Sequence, residues 1–148
     1  MSMSLELNPG EEVMYRLALA REHLERARKR LSVEDWAGVV EAAQLAAENA
    51  AKAVIAHFHV PSWSHDPSRE LQELVLQLPP ALVEVALKLA TIARELAPEH
   101  GIATYGVPQE RLTPAQLYTR EKASNALRLA EDALEKATLI LRELGYSL

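Results

Sequence analysis

NPGEEVMYRLALAREHLERARKRLSVEDWAGVVEAAQLAAENAAKAVIAHF, residues 8–58, is the stretch that decides the fold. Asn8 precedes Pro9, and Glu11 follows in what would be the first turn. An asparagine cap, a proline where the missing N–H costs nothing, and an early acid together mark a helix start. Behind them Val13, Leu17, Ala20, Leu24, Ala27 and Leu31 recur at alternating spacings of four and three, which places them on one narrow apolar stripe. Ser32-Val33-Glu34-Asp35 reads as a second start, with a hydroxyl and an acid three residues on. A second helix therefore follows almost without a loop. Its apolar positions, Trp36, Val39, Val40, Ala43, Ala46, Ala47, Ala50, Val54 and Phe58, form a wider face rich in alanine. Small side chains let helices approach closely, and so short a connection makes the two helices antiparallel neighbours.

Beyond residue 58 the same reasoning finds three more helices. Pro61 ends the second helix, and Asp66-Pro67 caps a short third one that runs to about Leu78. After Pro79-Pro80 a fourth carries Leu82, Val85, Ala86, Leu89, Ile92, Ala93 and Leu96, and is expected to stop near Ala97 because Pro98 disfavours helix before it. Residues 98 to about 112, with Pro98, Gly101, Gly106 and Pro108, read as the main internal loop. Thr113-Pro114-Ala115-Gln116 has the form of a capping box and opens a last helix, with Ala123, Leu127, Ala130, Leu134, Ala137, Leu141 and Leu144 in heptads up to Gly145. Roughly 30 residues at 1.5 Å each would span on the order of 45 Å. The expectation is an all-α, antiparallel, up-and-down bundle of about five helices, one domain over residues 1–148 with its core at about 9–145. Leu24, Val54, Leu89 and Leu134 should be buried, each on the apolar face of a different long helix.

The composition of this 148-residue chain fits that picture and narrows function. A net charge of -5, from 16 basic and 21 acidic residues, does not suit a protein that coats nucleic acid, so any RNA contact must be local. With no cysteine, disulfides, thiolate metal sites and cysteine nucleophiles are excluded. No apolar run approaches the roughly 20 residues of a membrane span, and the acidic start Met1–Glu6 does not resemble an export leader. A cytoplasmic protein is expected. Neither a glycine loop for phosphates nor a strand–helix dinucleotide motif occurs, which argues against an independent nucleotidyltransferase.

Three segments resemble one family in their order and separation. Ala43-Gln-Leu-Ala-Ala-Glu-Asn-Ala-Ala-Lys52-Ala-Val is similar to the second-helix signature of HEPN domains, helical bundles described as nucleotide-binding. Ser64-His65-Asp66 with Leu71 resembles that family's His-Asp-Leu stretch, and Tyr118 to Leu127 looks like the beginning of its final helix. The resemblance extends over about residues 12–144. It implies an antiparallel bundle, often a homodimer, working beside a nucleotidyltransferase-like partner and binding nucleotide or RNA. Some members are metal-independent endoribonucleases, toxins restrained by that partner, that use an arginine and a histidine a few residues apart. The chain departs from the family at Asn49, where lysine is usual, at Ala103–Val107, where many members carry Arg-Tyr-Pro, and at Glu95, after the motif arginine.

Against that background Arg94 and His100 have the nuclease-like spacing. The guanidinium would hold phosphate, and the imidazole would act as base or acid in attack by a ribose 2′-hydroxyl. Tyr105 adds a ring for stacking beside them. Lys52 is a candidate phosphate ligand, or the partner of Glu48 in an i,i+4 ion pair worth about 0.2–0.5 kcal/mol if exposed. His65, with Trp63, is a candidate for ligand recognition. His57, His59 and His65 beside Asp66 invite a metal, but His57 and His59 diverge on a helix and no Glu-x-x-His pair is present, so no metal and no cofactor is assigned. Arg16 with His23 repeats the nuclease spacing in the first helix. Arg26, Arg28, Lys29 and Arg30 suit the negative end of that helix, with a small phosphate patch as the alternative.

Overall fold

The structure, a computed structural model, describes residues 8–148, so the reading of Met1–Glu6 lies outside the described residues. Helix α1 (Pro9–Ser32) begins where Asn8 Oδ1 accepts the Gly10 N–H at 2.9 Å. It closes with the Ser32 hydroxyl donating back to the Lys29 carbonyl at 2.6 Å. Ser32 therefore ends one helix instead of opening the next. The cap of α2 (Trp36–Ala56) is Asp35, whose Oδ1 accepts the Gly38 N–H at 3.0 Å. A Cβ at Gly38 would lie 2.0 Å from the Asp35 carboxylate, so any larger residue there would push the cap aside.

Helix α3 (Ser68–Leu74) continues into a 3-10 turn, Val75–Gln77, and α4 spans Pro80–Leu96. Two differences from the expected layout follow. The stretch read as a loop forms α5 (Glu99–Tyr105), because Pro98 lies in right-handed helical geometry, φ -61° and ψ -25°, and needs no N–H of its own to start a new helix. Gly106, at φ +72°, ends it where a Cβ would strike the Leu112 carbonyl oxygen at 2.0 Å. The last helix is also split. Thr113 and Gln116 form their capping box, yet it supports only the single turn α6 (Pro114–Leu117). Tyr118 is extended and buried, its hydroxyl donating to Glu99, and Thr119 caps again to start α7 (Arg120–Glu143). At 24 residues α7 is about 36 Å long, shorter than the sequence alone suggests.

Side-chain registers fix the directions of the long helices. Arg30 donates to the Gly38 carbonyl at one end of the α1–α2 pair and Arg16 to Asn49 at the other, so these helices are antiparallel. Arg28 reaches Glu131, and Arg120 reaches Glu34, which makes α7 antiparallel to α1. With α4 between α2 and α7 in the chain, the bundle runs up, down, up, down. Helix α2 is its centre, buried on nearly every side against α1, α4, α5 and α7. Leu24, Val54 and Leu89 are buried as expected; Leu134 is only partly so. The buried face of α7 is set by Ala126, Ala133 and Ile140 together with Ala123, Ala130 and Ala137, which turns Leu134 toward its edge. Among the described residues no helix is long and apolar enough to cross a membrane.

Candidate functional site

Most of α2 is Ala, Val and Ile, and these need no partner when buried. Gln44, Glu48 and Lys52 do, and at intervals of four they share one side of the helix. Lys52 Nζ donates to Glu48 Oε2 at 3.2 Å, and Gln44 Nε2 donates to Glu48 Oε1 at 3.0 Å. The Lys52 and Glu48 side chains are only 4% and 7% exposed, so the pair is an internal one and the arithmetic of surface pairs does not describe it. No buried side-chain nitrogen or oxygen among the described residues lacks a partner.

Two imidazoles complete this stripe from other parts of the chain. His65, in the α2–α3 loop, places Nδ1 3.0 Å from Glu48 Oε1. His100, in the first turn of α5, places Nδ1 3.0 Å from Gln44 Oε1. The acceptors determine the tautomers. A carboxylate only accepts, so His65 Nδ1–H donates to Glu48; the Gln44 amide nitrogen is already used on Glu48, so its oxygen faces His100 and accepts from Nδ1–H. In its neutral form each ring then keeps a free lone pair on Nε2. The rings stack, with centroids 3.6 Å apart and planes 20° from parallel. Their outer sides meet solvent: the His65 side chain is 55% exposed and His100 is partly so.

The structure thus brings Lys52, His65 and His100 together through Glu48 and Gln44, and places Arg94 and Tyr105 elsewhere. Arg94 is exposed on the last turn of α4, a different helix from His100. Tyr105 is exposed at the far end of α5, and five residues at about 100° each turn it away from the face of His100. Trp63, almost fully exposed, lies two residues before His65 in the same loop. His57 is bound to the Tyr146 hydroxyl at 2.7 Å and His59 to the Val60 carbonyl at 3.0 Å, so the trio of loop histidines does not assemble.

Arg16, Arg26, Arg28 and Arg30 have structural partners. Arg16 is held by Glu12 at 2.9 Å and Asn49 at 3.3 Å, which explains the asparagine as a tie between α1 and α2. Arg28 and Arg30 pair with Glu131 and Glu41. Arg26 Nη1 donates to His23 Nδ1 at 3.1 Å. Burial, then the Arg26 charge, hold His23 below its ordinary pKa, with Glu22 and Glu48 pulling the other way and Arg30 adding to the decrease. A separate cavity of about 450 Å³ lies where α4 and α5 meet α7, lined by Leu96, Glu99, Tyr118 and Lys122 among others. Burial and the hydrogen bond to Glu99 push the Tyr118 hydroxyl well above the usual tyrosine range, so it stays a neutral donor there.

An up-and-down bundle whose central helix carries a buried polar stripe, opened to solvent by two histidines, defines a helical module with one polar site built into its core. The chain belongs to the HEPN domain family, whose model matches residues 13–141. No curated protein matches the chain. A solved structure that resembles it is the crystal structure of TT1696 from Thermus thermophilus, with 28% identity, a TM-score of 0.60, and 86% of this chain and 96% of that one covered.

Proposed function

We propose that the chain is a HEPN-family module that binds a nucleotide or a short stretch of RNA at His65 and His100, as a homodimer beside a nucleotidyltransferase-like partner. The observation that carries this reading is the pair of stacked, solvent-facing imidazoles anchored on Glu48 and Gln44. Flat rings accept the face of a base, and Trp63 in the same loop supplies a larger one. Lys52, sealed against Glu48, sets the charge of the stripe and does not reach solvent in this conformation. Arg94 and Tyr105, exposed but apart from the two rings within one chain, would in a two-fold dimer serve a cleft shared with the partner. Fluorescence anisotropy with labelled single-stranded RNA homopolymers, and calorimetry with ATP, test the reading. Binding that falls about tenfold or more in His65→Ala and His100→Ala supports it; binding unchanged in both refutes it.

The free Nε2 atoms favour a second reading, a metal-independent endoribonuclease. One ring, with its Nε2 lone pair free, would take the proton from a ribose 2′-hydroxyl, while the other, first protonated at Nε2 by solvent, would give that proton to the leaving 5′-oxygen. Arg94, which stands apart from the rings within one chain, would steady the phosphate from across a two-fold dimer. RNA cleavage in EDTA that disappears in His100→Ala and falls in Arg94→Ala would support it.

A further inference from the structure

We propose that Glu48, His65 and His100 bind a single divalent transition-metal ion. One ligand atom from each of the three lies within 4.8 Å of the other two. Ligands about 2.0–2.2 Å from an ion stand roughly 3.0–3.4 Å apart when adjacent. Glu48 Oε1 and His65 Nδ1, at 3.0 Å, already have that spacing. The widest separation, up to 4.8 Å, must close by about 1.4 Å or more, and the stacked rings must splay so that their in-plane lone pairs converge on one ion. His65, on a loop and half exposed, is free to make that movement by side-chain rotation.

The surroundings suit the ion. His100 is steered by Gln44 and Glu48 by Lys52, the kind of outer hydrogen bonds that orient metal ligands. The ion would replace the proton between His65 and Glu48, which moves to Nε2 on the open side of the ring, while His100 offers the Nε2 its amide contact leaves free. Two imidazoles and one carboxylate select Zn²⁺, Co²⁺ or Ni²⁺ over Mg²⁺ and Ca²⁺. Three protein ligands leave at least one position open. Lys52 cancels the carboxylate charge, so it weakens ion binding but leaves the loaded site doubly positive and suited to a phosphate oxygen. That last step rests on the nucleotide- and RNA-binding reading; the ion site itself stands on the cluster alone. An ion here would also take the His100 Nε2 lone pair and leave a hydrogen on His65 Nε2, so neither ring could act as the base and metal-free cleavage should be inhibited.

The test is a titration of untagged, EDTA-stripped protein with CoCl₂, followed by visible absorption, with ZnCl₂ calorimetry alongside and circular dichroism as the control for folding. Expected are one equivalent of Co²⁺ per chain with visible d–d bands, binding weakened about tenfold or more in His65→Ala, His100→Ala and Glu48→Gln, and no change in His59→Ala. The exposed position of His65 keeps the test decisive if Glu48→Gln fails to fold. No saturable Co²⁺ binding, or binding indifferent to His65→Ala and His100→Ala, overturns the proposal. Co²⁺ bound as expected by a protein that takes up neither ATP nor RNA upholds the ion site and rejects the nucleotide reading.

Discussion

Glu48 meets Lys52, Gln44 and His65 at once, and each neighbour offsets part of the cost of keeping a carboxylate away from water. Removing Lys52 by Lys52→Met should therefore cost about 3–5 kcal/mol in urea unfolding, because a buried charge loses its counter-charge. The double variant Glu48→Gln with Lys52→Met should be less destabilised than Lys52→Met alone. His23 gives a separate expectation. Its folded pKa lies below the ordinary 6.5, so its contribution to stability is fully present above that value and is lost as pH falls through the folded pKa. His23→Gln should flatten the loss of stability between about pH 7 and 5, measured by thermal unfolding. At this scale the sequence revealed ingredients more readily than their meeting place. His65, His100 and Lys52 are visible as chemistry, but Gln44 looks ordinary until α2 is known to be buried all round. The available signal is a polar stripe at intervals of four in a helix otherwise made mostly of alanine and valine. Nearness in the chain groups Arg94 and Tyr105 with His100, and the start of α5 at Glu99 converts that nearness into different helices for Arg94 and opposite faces for Tyr105.

Among the elements, α1 is legible almost to the residue and α2 to within a turn: periodicity places both, but Ser32 reads as the cap that Asp35 supplies, and α2 ends at Ala56, short of Phe58. Helix α5 is not legible, since Pro98 has two meanings: it ends the helix before it and is well suited to begin the next. The split before α7 was hidden for a different reason. Thr113-Pro-Ala-Gln116 is a sound local signal, and burial of the Tyr118 ring, with its bond to Glu99, overrides it one turn later. Packing gives a graded expectation. Leu89→Ala, at a fully buried position of α4, should cost about 2–5 kcal/mol. Leu134→Ala, at the edge of the α7 face, should cost clearly less in the same denaturant titration.

For the whole molecule, the bundle leaves the site half open and several apolar side chains exposed, among them Tyr15, Leu76 and Tyr105. Family habit makes a two-fold dimer the expected assembly, and light scattering at micromolar concentration should give twice the 16.4 kDa chain mass. A monomer would remove any cleft shared between subunits but would leave His65 and His100 in place, because one chain supplies both. Binding of a labelled single-stranded RNA panel and of ATP by the folded parent, His65→Ala and His100→Ala therefore bears on the stacked imidazoles whatever the assembly. Saturable binding by the parent that drops about tenfold or more in each variant, with unchanged circular dichroism, is the expected result; equal binding by all three folded proteins, or none by the parent, would contradict it.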